Sequence, residues 1–217
     1  MLGQHYIYDV WSQPISSTSG WSNTCTYNCG SQTIIGGYGC FGAGAETYKT
    51  YTISLAHTSV TIQFDIYFID SWDGEVLSLL VDGTTRYSQS YALSYGWTYT
   101  QYCGVGDTWY DYVTTVTTTT FAHTSSSLKL HFKSTLDQGS TDESWGFKNV
   151  KITVWPVCAT GCSKCYGNSV SECSSCSNGW YLSGSTCVTD CGPGYWNNPS
   201  GNVCSGKLSL ILLSNSV

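Results

Sequence analysis

The sequence predicts an all-β protein: a jelly-roll-like antiparallel β-sandwich followed by a small disulfide-rich repeat. Three observations carry that expectation. Before Trp155 the chain is a series of short β-branched and aromatic runs broken by Gly, Asn-Cys-Gly and Asp-Gly turns, with no 3.6-residue periodicity. The twelve cysteines are unevenly spread, with four (Cys25, Cys29, Cys40, Cys103) in the first part and eight from Cys158 to Cys204. A length of 217 residues leaves room for one medium domain with its own core and one small appendage. The expected boundaries are 1–156 for the sandwich, 157–205 for the cysteine-rich repeat and 206–217 for a tail.

The strands follow from alternation. The run 60–69 places Val60, Ile62, Phe64, Ile66 and Phe68 on one face, as a core-facing strand requires. The run 75–81 reaches the turn Asp82-Gly83, and 84–91 returns from it, which is a hairpin signature. Three more alternating runs lie at 113–121, 127–132 and 150–155. Strands at this spacing suit a sandwich or jelly roll.

Composition excludes several roles. Only 10% of residues are charged, the formal net charge is −6, and Arg86 is the sole arginine. Nucleic acid and anionic membrane surfaces need clustered Lys and Arg, so neither is an expected partner. The longest apolar run, 208–213, falls far short of the ~18 residues a membrane span needs, so the chain is not expected to cross a bilayer. Residues 1–11 have neither a basic start nor an apolar stretch, so a secretory signal is expected to lie outside this sequence.

From Cys158 the spacing is Cys-x3-Cys-x2-Cys-x7-Cys-x2-Cys-x10-Cys-x3-Cys-x12-Cys. So short a segment, poor in aliphatic residues, cannot bury enough surface to fold without covalent staples. Two CxxC pairs, Cys162 with Cys165 and Cys173 with Cys176, also have zinc-like spacing. A site built from them leaves Cys158, Cys187, Cys191 and Cys204 unused, which favours disulfides and an extracellular setting. Spacing alone does not choose among about 105 pairings.

The segment Cys173-Ser-Ser-Cys176-Ser-Asn-Gly179-Trp180-Tyr181-Leu182, followed by Cys187-Val-Thr-Asp-Cys191-Gly-Pro193-Gly194-Tyr195-Trp196, resembles the furin-like, growth-factor-receptor cysteine-rich repeat. That resemblance implies Cys158 with Cys165, Cys162 with Cys173, Cys176 with Cys187, and Cys191 with Cys204. It also implies a rod or spacer, of a kind that usually comes in tandem. Gly36-Gly37-Tyr38, Phe41-Gly42-Ala43-Gly44-Ala45, Asp70-Ser71-Trp72-Asp73-Gly74-Glu75, Cys103-Gly104 and Asp142-Glu143-Ser144-Trp145-Gly146 resemble a β-domain found upstream of such repeats in surface proteins of ciliated protozoa. This second resemblance covers about residues 29 to 155 and implies Cys29 with Cys103 and Cys25 with Cys40; Cys25 with Cys29 is the alternative.

An internal echo accompanies these motifs. Leu55-Ala56-His57-Thr58-Ser59 and Phe121-Ala122-His123-Thr124-Ser125 each precede an alternating strand that an acidic-Trp cluster follows. Asp70, Asp73, Glu75, Asp142 and Glu143 sit at strand ends, where converging loops form an oxygen cage suited to calcium; the alternative is that they cap turns. Trp72 and Trp145 either stack on sugars or plug the core. The Tyr- and Gly-rich stretch 91–112, with Trp97, Tyr99, Tyr102, Trp109 and Tyr110, has the composition of an adaptable contact loop.

No Gly-x-Ser-x-Gly elbow or His-Glu-x-x-His helix accompanies the four histidines, and no catalytic residue is assigned. The expected function is an extracellular structural or adhesive cell-surface module that assembles with itself or binds other surface proteins, in a coat or filament. The alternative is a calcium-dependent, lectin-like carbohydrate-binding module.

Overall fold

A computed structural model describes residues 6–8, 18–92, 103–104, 110–165 and 171–206. Two compact units form, one over Ile7–Val154 and the other over Trp155–Val217 together with Met1–Tyr6. The described residues contain strands and turns and no helix, so the all-β class stands.

In chain order the first unit's strands are β1 (Tyr6–Tyr8), β2 (Thr26–Cys29), β3 (Gln32–Gly36), β4 (Glu46–Thr52), β5 (His57–Asp70), β6 (Asp73–Val81), β7 (Thr84–Ala92), β8 (Tyr112–Thr117), β9 (Phe121–Ala122), β10 (Ser127–Ser134) and β11 (Glu143–Pro156). One sheet runs β2-β3-β11-β5-β8, with β1 added to β11 and β9 to β5; the other runs β4-β10-β6-β7. The β2-β3, β3-β11, β5-β8, β5-β9, β4-β10, β6-β10 and β6-β7 pairings are antiparallel.

The two sheets close on an aromatic layer. Val60, Ile62, Phe64, Ile66 and Phe68, the face expected from alternation in β5, are all essentially inaccessible to water. Phe64 meets Phe132 of β10 edge-on at 5.0 Å, and Phe132 stacks on Phe147 of β11 at 4.5 Å. Burying each such ring stabilises the fold by about 1.5–3 kcal/mol, so this layer holds the sandwich.

Two strands differ from their expected bounds for local reasons. The run 113–121 divides into β8 and β9 because Thr118 leaves the ladder: its hydroxyl accepts from Ile62 N–H at 3.0 Å while its own N–H donates to Ile62 O at 2.9 Å. The strand expected at 150–155 begins already at Glu143, because Gly146 and Phe147 pair with Gly36 and Ile35 of β3.

The second unit contains β12 (Cys162–Cys165), β13 (Cys173–Cys176), β14 (Tyr181–Ser183), β15 (Thr186–Val188), β16 (Tyr195–Asn198) and β17 (Val203–Gly206). Disulfides join Cys158–Cys165, Cys162–Cys173, Cys176–Cys187 and Cys191–Cys204. Cys173, Cys176 and Cys187 make a miniature core with Trp180 and Leu182 packed against it. The Cys162, Cys173 and Cys187 sulfurs lie close enough for a metal, but all three are spent on S–S bonds. In the sandwich the disulfides are Cys25–Cys40 and Cys29–Cys103. Among the described residues no helix is long and apolar enough to cross a membrane.

Candidate functional site

β5 carries the first echo from one end of the sandwich to the other, and the second echo meets it at both ends. At the near end β9 pairs with β5 through Ser59↔Ala122 and Val60↔Phe121. That register brings His57 and His123 together, His57 Nε2 lying 2.7 Å from His123 Nδ1. His57 Nδ1 also contacts Leu55 O at 2.7 Å, and His123 Nε2 contacts Asp82 Oδ2 at 3.2 Å. All four ring nitrogens are therefore engaged, and none is left to activate a serine. Asp82 is fixed in turn by Lys129 N–H, which donates to Oδ1 at 2.8 Å.

At the far end the acidic-Trp clusters interlock. Trp72 Nε1–H donates to Ser144 O at 2.8 Å, and Ser71 Oγ–H donates to Asp142 Oδ1 at 3.1 Å. Both Trp72 and Trp145 are fully buried and serve the core, against Phe68 and Phe41 respectively, so neither offers a ring to a sugar.

The structure sorts the five expected carboxylates into three places. Oxygens of Asp73, Glu75 and Glu143 lie within 4.8 Å of one another. Asp142 accepts from Ser71, and the Asp70 carboxylate lies against Gly104. Asp70 has a left-handed backbone, φ 62°, and its buried carboxylate packs on Gly104, where a Cβ would come within 2.4 Å of both oxygens. Asp111 braces the same spot, accepting from Asp70 N–H and Cys103 N–H. The Cys103-Gly104 motif is thus a packing requirement of Asp70.

Within the cluster, Glu75 Oε2 accepts from Asp73 N–H at 2.8 Å and Gly74 N–H at 3.1 Å. Burial alone would raise the Glu75 carboxyl, but hydrogen bonds from Asp73 and these backbone groups hold it below its ordinary value. Asp73 is raised by its side-chain hydrogen bond with Glu75 and by the Glu75 charge. Glu143 is fully buried and neither of its oxygens has a hydrogen-bond partner among the described residues. Burial first, then the charges of Glu75, Asp73, Asp137 and Asp142, push it up to about 7. Asp137, absent from the sequence-level candidates, sits in the turn after β10; only its field on Asp73 and Glu143 betrays it.

A second feature lies between β7 and β8, the last strands of the two sheet paths. A groove of about 470 Å³ is lined by Phe68, Tyr87, Gln89, Tyr91, Tyr112 and Thr114, with Thr115 and Val116 beside them. Phe68, Tyr91 and Tyr112 form a near-parallel stack, with centroids 4.6 and 5.0 Å apart. Burial, with Tyr112 adding to it, raises the Tyr87 hydroxyl pKa. Of the five aromatics named for the expected contact loop, Tyr110 is exposed, and Trp97, Tyr99, Tyr102 and Trp109 lie outside the described residues.

No family model matches the chain, and no curated relative does. Among solved structures it is similar to a family 35 carbohydrate-binding module from an environmental isolate (13% identity, 69% of this chain and 96% of that chain, TM-score 0.38). It is also similar to the CBM36-1 domain of a multidomain xylanase from the hindgut metagenome of Trinervitermes trinervoides (15% identity, 60% and 90%, TM-score 0.33). A third similar structure is a carbohydrate-binding module CBM36 in complex with calcium and xylotriose (14% identity, 61% and 89%, TM-score 0.31).

Proposed function

We propose that the chain is an extracellular glycan-binding module, in which the β7/β8 groove takes a short saccharide and the cysteine-rich unit serves as a covalent spacer. The groove carries the reading. Ligand sites are concave, apolar-walled and edged with a few polar groups, and here three tyrosine rings supply the walls while Gln89 and Thr114 supply donors and acceptors. A saccharide, with apolar ring faces and a rim of hydroxyls, is the ligand class matching an uncharged groove of that chemistry. Six disulfides suit an oxidising compartment outside the cell. Calcium belongs to the reading as the ion the acidic end of the sandwich is built to take.

This reading replaces the coat or filament subunit favoured by composition, because self-packing rests on composition alone while the saccharide has a groove of matching chemistry. It is also a reading of binding without catalysis, since His57 and His123 spend their ring nitrogens on each other, on Leu55 and on Asp82. A glycan array probed with the oxidised full chain tests it. The expected result is selective retention on a related set of saccharides; a blank array together with ordered polymers by negative-stain microscopy would return the protein to the structural class.

A further inference from the structure

We propose that Asp73, Glu75 and Glu143 form a divalent-cation site, best suited to Ca²⁺, and that the bound ion clamps the start of β6 to the start of β11. The first observation is spacing. The three carboxylates bring oxygens within 4.8 Å of one another, close enough for all three to reach a single calcium at about 2.4 Å each.

The second observation is independent of the clustering. Glu143 has no exposed surface, and both its carboxylate oxygens lack a hydrogen-bond partner among the described residues while facing Asp73 and Glu75. A buried carboxylate without a donor is costly, and adding two more carboxylates beside it deepens the cost. A cation is the group that turns this arrangement from repulsive to cohesive. Nearby backbone donors are already used: Asp73 N–H and Gly74 N–H serve Glu75, and Glu143 N–H serves Gly139 O.

The donor set fixes the class of ion. Oxygen ligands without sulfur or imidazole select hard cations over zinc or copper. Three carboxylates offer up to six oxygens, and exposed Asp73 leaves one side open to water, which suits the irregular coordination of about six to eight that calcium accepts better than the rigid octahedron magnesium demands. β6 belongs to one sheet and β11 to the other, so the ion would pin the two sheets at the end opposite the His57–His123 contact. Asp70 and Asp142 are assigned no part in it, being committed to Gly104 and Ser71. The inference deepens the proposed function but stands on different residues from the groove.

The test uses the oxidised full chain, stripped with EDTA, desalted, and titrated with CaCl₂ alone by calorimetry and by thermal unfolding. One ion is expected, with a dissociation constant on the order of 10⁻⁴–10⁻³ M, as in extracellular modules. The midpoint of unfolding should rise by about 3 °C or more at about 10 mM calcium. Glu143→Gln, which keeps the shape and removes the charge, should weaken binding about tenfold or more, whereas Asp142→Asn should stay within about twofold of wild type. Glu75→Gln, at a partly exposed position, serves if the Glu143 variant does not fold. Absence of both heat and midpoint shift, or a Glu143→Gln protein that binds calcium as wild type does, overturns the site. No saccharide is present, so a failed glycan array leaves this result untouched.

Discussion

In the unit over Ile7–Val154, Phe64, Phe132, Phe147, Trp72 and Trp145 shield one another from water, whereas in the described residues from Trp155 onward the buried side chains are Cys165, Cys173, Cys176 and Cys187. The first region builds its shape from apolar area and the second from covalent bonds. The difference teaches where chemistry can be placed. A sandwich with a sufficient core can leave carboxylates at its ends and tyrosines along its open side. A small stapled unit spends its reactive groups on holding its shape, and so its close sulfur cluster is no metal centre.

Reduction should break that comparison most sharply. With the four tail disulfides opened, each closing a short loop at a chain-entropy gain of about 2–3 kcal/mol, the second unit should lose all slow-exchanging amides while β5, β10 and β11 keep theirs. Hydrogen exchange by mass spectrometry, with and without reductant, reads this directly. Equal loss in both units would show that the sandwich also depends on its staples.

The converse is Phe64→Ala, which should destabilise the sandwich by about 3–5 kcal/mol in denaturant titration and leave exchange in the second unit unchanged. Next in size are two glycines. Gly104→Ala would drive a methyl into the Asp70 carboxylate and Gly161→Ala would drive one into the Trp180 ring, both at positive φ, costing roughly 1–3 kcal/mol each in its own unit.

A pH effect should appear in the sandwich. Glu143 has a folded-state pKa of about 7, above its ordinary value of 4.5. The protonated form is thus favoured by folding, so the contribution is fully present below pH 4.5 and is lost as pH rises through 7. Metal-free protein should melt lower at pH 8 than at pH 5, and Glu143→Gln should flatten that slope in a pH series of melting curves. Smallest is Asp82→Asn, expected to cost about 1 kcal/mol by weakening one contact to His123.

Much of the frame was legible because β-strand alternation is local: the inward set of β5 and the Asp82-Gly83 hairpin need only neighbours in sequence to be seen. The cysteine partners in the structure are those implied by resemblance, and spacing alone would have left them open. The site was half legible. Five acidic residues near strand ends look alike along the chain, yet Asp73, Glu75 and Glu143 cluster while the Asp70 carboxylate packs on Gly104. The groove was met only at Tyr91 and Tyr112, the two ends of the expected contact stretch; Tyr87 and Gln89 were passed over although they alternate with Tyr91 along β7, because the other wall, Tyr112 and Thr114, comes from a strand in the opposite sheet. Alternation reports which face a residue occupies and is silent on what that face meets.

The saccharide selected on the array, titrated calorimetrically into wild type, Gln89→Ala and Tyr91→Ala, tests the binding claim most directly. The account requires both variants to bind about tenfold or more weakly while melting cooperatively, at roughly 1.4 kcal/mol per tenfold. Wild-type affinity in both would place the ligand elsewhere on the molecule and contradict it.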